Sequence, residues 1–480
     1  MSEERPFPRV IVIGGGITGL AAAYRLREGA AAREMPVEVT LLESGATIGG
    51  ALATVRRDGF VMEAGADSFL AEKPAARKLA ERLGIAGELI NTQEQFRQTL
   101  VVRGGKLAAI PEGFSLMAPT WMGPVWRSNL FSPWGKLRIA IEPLIPKRRG
   151  NSDESLAAFV TRRLGREVLA RVAQPLAGGI YTADPATLSI GATLPRFVEM
   201  ERRYGSVIRG LRAAAKTRDA QARGTSGARW SLFLSLREGM GSLAETISMR
   251  LGKVIRTNTQ VTAIARAAGG DGTWQVRCAD GSTIAADEII CTAPAHAAAS
   301  MIAGVAPALA AKLGAISYAS AATVNLAYRV SDFPIAPASF GFVAPIAERR
   351  QIIAGSFSSL KFGGRAPEGT ILARVFIGGA LQRGMMGLDD AQMIAAARAE
   401  FKDLFGVSAE PLCTYVRRWP ESMPQYLVGH RAGVGEIMKE AAAIDGLALA
   451  GAYLNGVGIP DCIASGEHTA DAVLARLAQP

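Results

Sequence analysis

The stretch RVIVIGGGITGLAAAYRL, residues 9–26, runs an apolar strand straight into glycines and then into an alanine-rich helix. Gly14, Gly16 and Gly19 form GxGxxG. The first glycine permits a tight turn, the second lets backbone N–H groups approach a pyrophosphate, and the third lets the helix pack against the sheet. The expected phosphate cradle is Gly14, Gly15, Gly16, Ile17, Thr18 and Gly19. A second strand, VEVTLLE, ends at Glu43, followed by Ser44. A carboxylate there hydrogen-bonds a ribose diol and disfavours a 2′-phosphate. The insertion EGAAAREMP accounts for the long spacing between glycines and acid. Together these residues predict a βαβ dinucleotide site rather than a bare glycine-rich turn.

Three further segments have to be placed around it. MEAGADSF (62–69) is small and glycine-bearing. On the residues alone its Asp67 reads as an N-cap or turn residue, since DSFLAEKPAARKLAERLG looks like a helix start. In the middle of the chain, a helix over 242–251 leads to strands near Val254 and Val261. A hairpin then follows with DG turns at 271–272 and 280–281, and the strand in ADEIICTAP returns to the parallel sheet. A plain β-meander is the simpler alternative. Near the C-terminus, a strand ends at Gly451, and GVGIPDCI opens a last helix at Val457, Gly458, Ile459 and Pro460. That gives a second helix N-terminus for phosphate or for ring carbonyls.

The bulk numbers bound the class. The chain has 480 residues, enough for two to four domains, with 49% hydrophobic and 20% charged residues. The net charge is +11, but the basic residues are scattered, without a basic arm or interleaved aromatics. Nucleic acid is thereby disfavoured, and a membrane surface or an acidic small substrate fits better. Four dispersed cysteines without CxxC and three dispersed histidines predict neither a disulfide framework nor a metal site. The profile is that of a reduced, cytosolic protein. MSEERPFPRV does not read as a signal peptide. The uncharged run after Ile289 is broken by Pro294, Gly304 and Pro307, which argues against a spanning helix.

The order GxGxxG, Glu43, Gly49-Gly50 resembles the large FAD family that includes amine oxidases and porphyrinogen oxidases. A basic residue usually follows the glycine pair there. Here it is Ala51, with Arg56 or Arg57 expected to compensate. Further blocks are SDESLAAFVTRRLGREVLARVAQPLAGGIYTADPATLSI (152–190), FGGRAPEGTILARVFIGGA (362–380), RWPESMPQYLVGH (418–430) and GVGIPDCI. With them the chain resembles the oxygen-dependent protoporphyrinogen/coproporphyrinogen oxidase family of the bacterial haem-synthesis type.

That resemblance implies noncovalent FAD, although Cys462 invites a covalent link. It sets Gly65, Ala66, Asp67 and Ser68 beside the isoalloxazine, and the Gln260–Val261 backbone near the adenine. It implies a six-electron oxidation of a porphyrinogen, with dioxygen as acceptor and hydrogen peroxide as product. Arg97 is then a candidate cation for a propionate, and Trp121, Trp126 and Trp134 would line a ring pocket or dip among lipid headgroups. Peripheral contact with the inner face of the cell membrane and handover to a ferrochelatase-type enzyme are expected partnerships. No general base stands out, and His430 is expected to satisfy a buried hydrogen bond.

The expected class is α/β with α+β inserts. A discontinuous Rossmann-like FAD-binding domain (1–90, 230–300 and 425–480) carries a mostly helical, membrane-binding insert (91–229) and a sheet-based substrate domain (301–424). The rival readings are another flavin oxidase, of amine or carotenoid type, and a non-catalytic flavin-fold binding protein.

Overall fold

The computed structural model describes residues 7–150, 152–224, 231–267 and 273–479, with backbone alone over 217–224. Its organising element is the strand Arg9–Ile13, apolar because both faces are covered. It pairs in parallel with Glu38–Leu42 on one side and Glu288–Cys291 on the other. Ile255–Arg256 and Leu447–Leu449 complete a five-stranded parallel sheet. Three distant parts of the chain are therefore joined in one sheet, as the recurrence of glycine-rich strand ends predicts.

Small residues let the layers close. The helix Ile17–Ala32 buries Leu20, Ala21, Ala22 and Ala23 together. Against it lies the last helix, Ile459–Leu477, so near that a Cβ on Gly466 would fall 2.2 Å from the Thr18 carbonyl. On the other face sits an antiparallel sheet of Val261–Arg266, Trp274–Cys278 and Thr283–Ala286. Its turn at Asp280-Gly281 uses a positive φ at the glycine. The other Asp-Gly pair, 271–272, lies outside the described residues.

A second sheet has seven strands, in the order Cys413–Pro424, Tyr318–Arg329, Thr370–Gly378, Ala354–Phe357, Gly341–Val343, Thr99–Arg103, Lys106–Ala109. Alternation along Tyr318–Arg329 sends Val324, Leu326 and Tyr328 into an aromatic core with Phe333, Phe357, Phe401 and Phe405. Thr323, Asn325 and Ala327 fall on the opposite face, towards residues 60–64. The two outer strands come from a region expected to be largely helical, and pair through Thr99–Arg103 parallel to Gly341–Val343.

The helical unit holds Leu156–Arg163, Gln174–Tyr181, Pro195–Tyr204 and Val207–Gly224. At its centre Arg163 and Glu142 form an ion pair with both side chains fully buried. Glu142 also accepts from the Val207 N–H at 2.9 Å and the Ile208 N–H at 3.3 Å, capping the helix Val207–Gly224. Arg163 donates onward to the carbonyls of Ile145 and Gly205. Removing one partner strands a buried charge, at a cost of about 3–5 kcal/mol. Glu142→Gln should therefore lower unfolding stability by about 3 kcal/mol in a denaturant titration that follows this unit. A loss below about 1 kcal/mol, the range of an exposed pair, would contradict the arrangement.

Candidate cofactor and substrate site

The glycines of the first turn are individually constrained. Gly14 sits at φ +107°, and a Cβ on Gly19 would lie 1.9 Å from the Gly14 carbonyl. At Gly16, by contrast, an added Cβ would meet nothing within 4 Å, so the space over it is open. The facing turn is equally bare. Gly49 donates to the Gly15 carbonyl at 2.8 Å, and Gly50, at φ +58°, lies against Gly16.

Glu43 joins these turns. Its carboxylate accepts from the Gly15 N–H at 2.6 Å and the Gly45 N–H at 2.7 Å, while exposed Ser44 touches it at 3.2 Å. The Glu43 carbonyl then accepts from Thr259 N–H at 2.8 Å, which brings Gln260 and buried Val261 alongside.

Two helix N-termini lie close by, the second with Asp461 in its first turn. Ile17–Ala32 starts from Gly16 and Ile459–Leu477 from Gly458, neither with a side-chain cap. Their unpaired N–H groups and aligned dipoles suit an anion. The loop before the last helix is held by Gly451, at φ +145°, whose N–H donates to Ser465 Oγ. Val457 packs on the helical unit, and Ile459 and Pro460 are buried. Asp461 is gripped by Lys73 at 2.6 Å. Glycine turns without side chains, a carboxylate beside them and two uncapped helix ends fit the pyrophosphate and ribose of a dinucleotide.

The segment 63–68 is fastened from two sides. Behind it, a Cβ on Gly65 would lie 2.2 Å from the Ala51 carbonyl, and that carbonyl accepts from Ala66 N–H. In front, side chains of the seven-stranded sheet take its carbonyls one after another. Asn325 Nδ2 donates to Glu63 at 3.3 Å. Thr323 Oγ1 and Trp419 Nε1 donate to Ala64 at 2.7 and 2.8 Å, and Arg374 Nη1 donates to Gly65 at 2.5 Å. Asp67 is largely buried. It receives Lys361 Nζ at 3.0 Å, Arg374 Nη2 at 3.1 Å and the Ser68 hydroxyl at 2.7 Å. Burial pushes the Asp67 carboxyl up, but Lys361 and Arg374 outweigh it and hold it well below the usual carboxylate range. A depressed folded value means these ion pairs contribute fully above about pH 4 and fail only as the pH falls through that value.

The sequence expects the glycine turns, Glu43, Ser44, Val261, residues 65–68 and the last loop around one cofactor; in the structure Gly49 bonds Gly15, Glu43 bonds Gly15 and Thr259, Gly65 abuts Ala51, and Gly466 of the last helix abuts Thr18. The structure corrects other expectations. Asp67 is no N-cap: Phe69–Leu70 is a short strand, and the helix begins only at Ala75, after Pro74. Arg97 lies exposed at the end of a 3₁₀ turn, two residues before its strand starts. Neither Arg56 nor Arg57 replaces the missing cation after Gly50. Arg56 is drawn to Glu245 and the Glu238 carbonyl, and Arg57 to the Thr414 carbonyl. Trp121, Trp126 and Trp134 are exposed on the helical unit.

His430 donates Nε2–H to the Leu454 carbonyl at 3.2 Å and stacks on Tyr426, the structural role expected of it. Burial pushes the Cys462 thiol up to about 11, which disfavours the thiolate a covalent link needs. Sequence reasoning missed Thr323, Asn325, Lys361, Arg374 and Trp419. Alternation could have put Thr323 and Asn325 on one face, but nothing local tells which segment that face meets.

A two-sheet flavoenzyme fold with this site has known relatives. The model of the family "Flavin containing amine oxidoreductase" matches residues 17–474, and the chain belongs to that family. It is 34% identical over 472 residues to the coproporphyrinogen III oxidase of Bacillus subtilis (strain 168), with 98% of each chain covered. Against the coproporphyrinogen III oxidase of Propionibacterium freudenreichii subsp. freudenreichii the identity is 36%, covering 97% of this chain and 90% of that one. A crystal structure named for a protoporphyrinogen oxidase from Exiguobacterium sp. 255-15 superposes with a TM-score of 0.84 at 29% identity, over 98% of this chain and 99% of the other.

The open space over Gly16 and the closed space at Gly19 make opposite predictions. Gly16→Val should fold with near-normal thermal stability yet purify without flavin absorbance. Gly19→Val should fail to fold at all. Stoichiometric flavin in the Gly16 variant would contradict the placement of the site.

Proposed function

We propose that this chain holds FAD at this site and oxidises a porphyrinogen, coproporphyrinogen III in particular, to the porphyrin with dioxygen as acceptor. The observation that carries the reading is the nearness of two uncapped helix N-termini, Glu43 and the doubly fastened 63–68 segment, in a chain whose relatives bear these names. The flavin supplies a two-electron acceptor that dioxygen reoxidises. Three rounds remove six electrons, so one porphyrinogen and three dioxygen give one porphyrin and three hydrogen peroxide.

The protein's part is placement. Backbone N–H groups at the two helix starts, residues 16–19 and 458–459, would hold the pyrophosphate, and Glu43 the ribose. Residues 65–68 line the ring. Leu116, Met117, Leu156, Leu176, Ile180 and Tyr181 line an apolar hollow of about 20 Å³ in the helical unit, too small as it stands for more than a water. Tyr181 also faces Asp461 at the start of the last helix, and its burial pushes the phenol up to about 12, which keeps it neutral against that apolar wall. Amine oxidation is disfavoured because Tyr453, the tyrosine of GAYLNGVG, is buried beneath Gly451 and forms no aromatic cage.

Coproporphyrinogen III carries four propionates and protoporphyrinogen IX two. One further carboxylate held in a charge-assisted hydrogen bond is worth roughly 1.4 kcal/mol, or about tenfold. Porphyrin fluorescence under air should therefore give a kcat/KM for coproporphyrinogen III at least about tenfold above that for protoporphyrinogen IX. An equal or reversed ratio would overturn the substrate choice.

We also propose that the helical unit rests on the anionic inner face of the cell membrane, leaving the rest of the chain in the cytoplasm. Helix Pro133–Ala140 and the turn after it bury Gly135, Ile139 and Glu142 but turn Trp134, Leu137, Ile141 and Leu144 outward, with Trp134 80% and Leu144 79% exposed. Trp121 and Trp126 are exposed as well, and Lys136 reaches the Trp126 carbonyl. Between Glu112 and Asp153 the sequence holds six basic residues and one acid, Glu142, which is fully buried. Such a face suits anionic headgroups. Among the described residues no helix is long and apolar enough to cross a membrane. The protein should co-sediment with phosphatidylglycerol vesicles at low salt and not with phosphatidylcholine vesicles. Trp134→Glu with Leu144→Glu should abolish this. Equal behaviour with both lipids would contradict the charge argument.

A further inference from the structure

We infer that Arg374 is the positioning residue through which the seven-stranded sheet fixes the ring-lining segment, and that with Lys361 it sets a surplus of positive charge beside the bound flavin. The inference rests on the FAD reading above.

Arg374 is 3% exposed and reaches both ends of the segment, with Nη1 on the Gly65 carbonyl and Nη2 on Asp67. Its guanidinium stacks over the Phe376 ring at 4.8 Å, which sets the plane of the fork. Because Gly65 abuts Ala51 from behind, the segment cannot retreat, and the arginine decides how far it stands forward.

Strand register gives the second observation. Asn325 pairs with Arg374, and Arg374 with Ser356, so the three side chains form one row across three strands. In that row Asn325 Oδ1, Arg374 Nε and Ser356 Oγ are all buried without a hydrogen-bond partner. Three adjacent unmet polar atoms are costly to bury, and point to a group the polypeptide does not supply.

The charge count gives the third. Lys361 and Arg374 share one carboxylate, Asp67, while Arg365 faces Glu63 and is drawn by Glu238 as well. Lys361 is further screened from water by the Phe233 and Phe362 rings, at 5.0 and 5.2 Å. At Asp67 itself one positive charge is left over in a poorly hydrated place, where it acts strongly on a ring that gains electrons.

The test is made on holoenzyme with Arg374→Gln, Arg374→Lys and Lys361→Gln. The flavin midpoint potential is read by dye-coupled reduction without any porphyrinogen, so the result stands whatever the substrate proves to be. A failure of the FAD reading would show separately, as a wild-type protein with no flavin couple. Arg374→Gln should keep its FAD and show a lower potential, with kcat reduced on the order of a hundredfold and KM little changed. Arg374→Lys keeps the charge but not the fork, and should restore the potential without restoring kcat. Lys361→Gln leaves the carbonyl contacts intact and should also lower the potential. If Arg374→Gln yields no folded holoenzyme, the other two variants decide. An unchanged potential in Lys361→Gln overturns the charge assignment, and wild-type kcat in Arg374→Lys overturns the positioning role. A rise in KM alone, with kcat and potential unchanged, would make Arg374 a substrate contact and overturn both.

Discussion

Three consecutive carbonyls, those of Glu63, Ala64 and Gly65, are the constraint on which the rest of the structure depends. Buried carbonyls must be paired, and within their own segment these have nothing to pair with. Their donors come from three strands of a separate sheet: Asn325 and Thr323 from one, Arg374 from the next, Trp419 from a third. The seven-stranded sheet is thereby locked to the segment 63–68, which the proposed function sets against the flavin. Neither part can shift without leaving polar groups unmet, so their separation is set by covalent geometry and hydrogen-bond length. That is the rigidity needed to bring a carbon atom within reach of an electron acceptor.

The nucleotide end obeys a complementary rule. There the chain withholds partners. Gly16 and Gly458 leave two helix N-termini uncapped, and Gly50 removes the side chain that would fill the space between. The glycines on either side serve packing, as the 1.9 Å approach at Gly19 and the 2.2 Å approach at Gly466 require. Open and closed glycines stand within a few residues of one another, and their functions follow from what a methyl group would meet.

What could be read from the sequence follows the range over which each feature is determined. The first βαβ unit, Glu43 and the last glycine loop are local, so period and turn chemistry disclosed them. A sheet was expected within 301–424, and the long strands Tyr318–Arg329 and Thr370–Gly378 lie there. Asp67 was singled out, but its setting was not. Lys361 lies 294 residues away along the chain, and no pattern near either residue announces the pair. The tryptophans show the reverse. Their clustering was visible, yet only the packing of Gly135, Ile139 and Glu142 inward tells that Trp134 faces out. Arg97 stands at the end of a 3₁₀ turn, outside the strand that begins at Thr99, a placement no local pattern announces.

The most direct test of the account is anaerobic mixing of the yellow holoenzyme with a stoichiometric, colourless porphyrinogen. Rapid bleaching of the flavin, followed on admission of air by return of the yellow colour and growth of porphyrin fluorescence, is the predicted result. A flavin that stays oxidised with the porphyrinogen but is bleached by an amine would contradict the account at its centre.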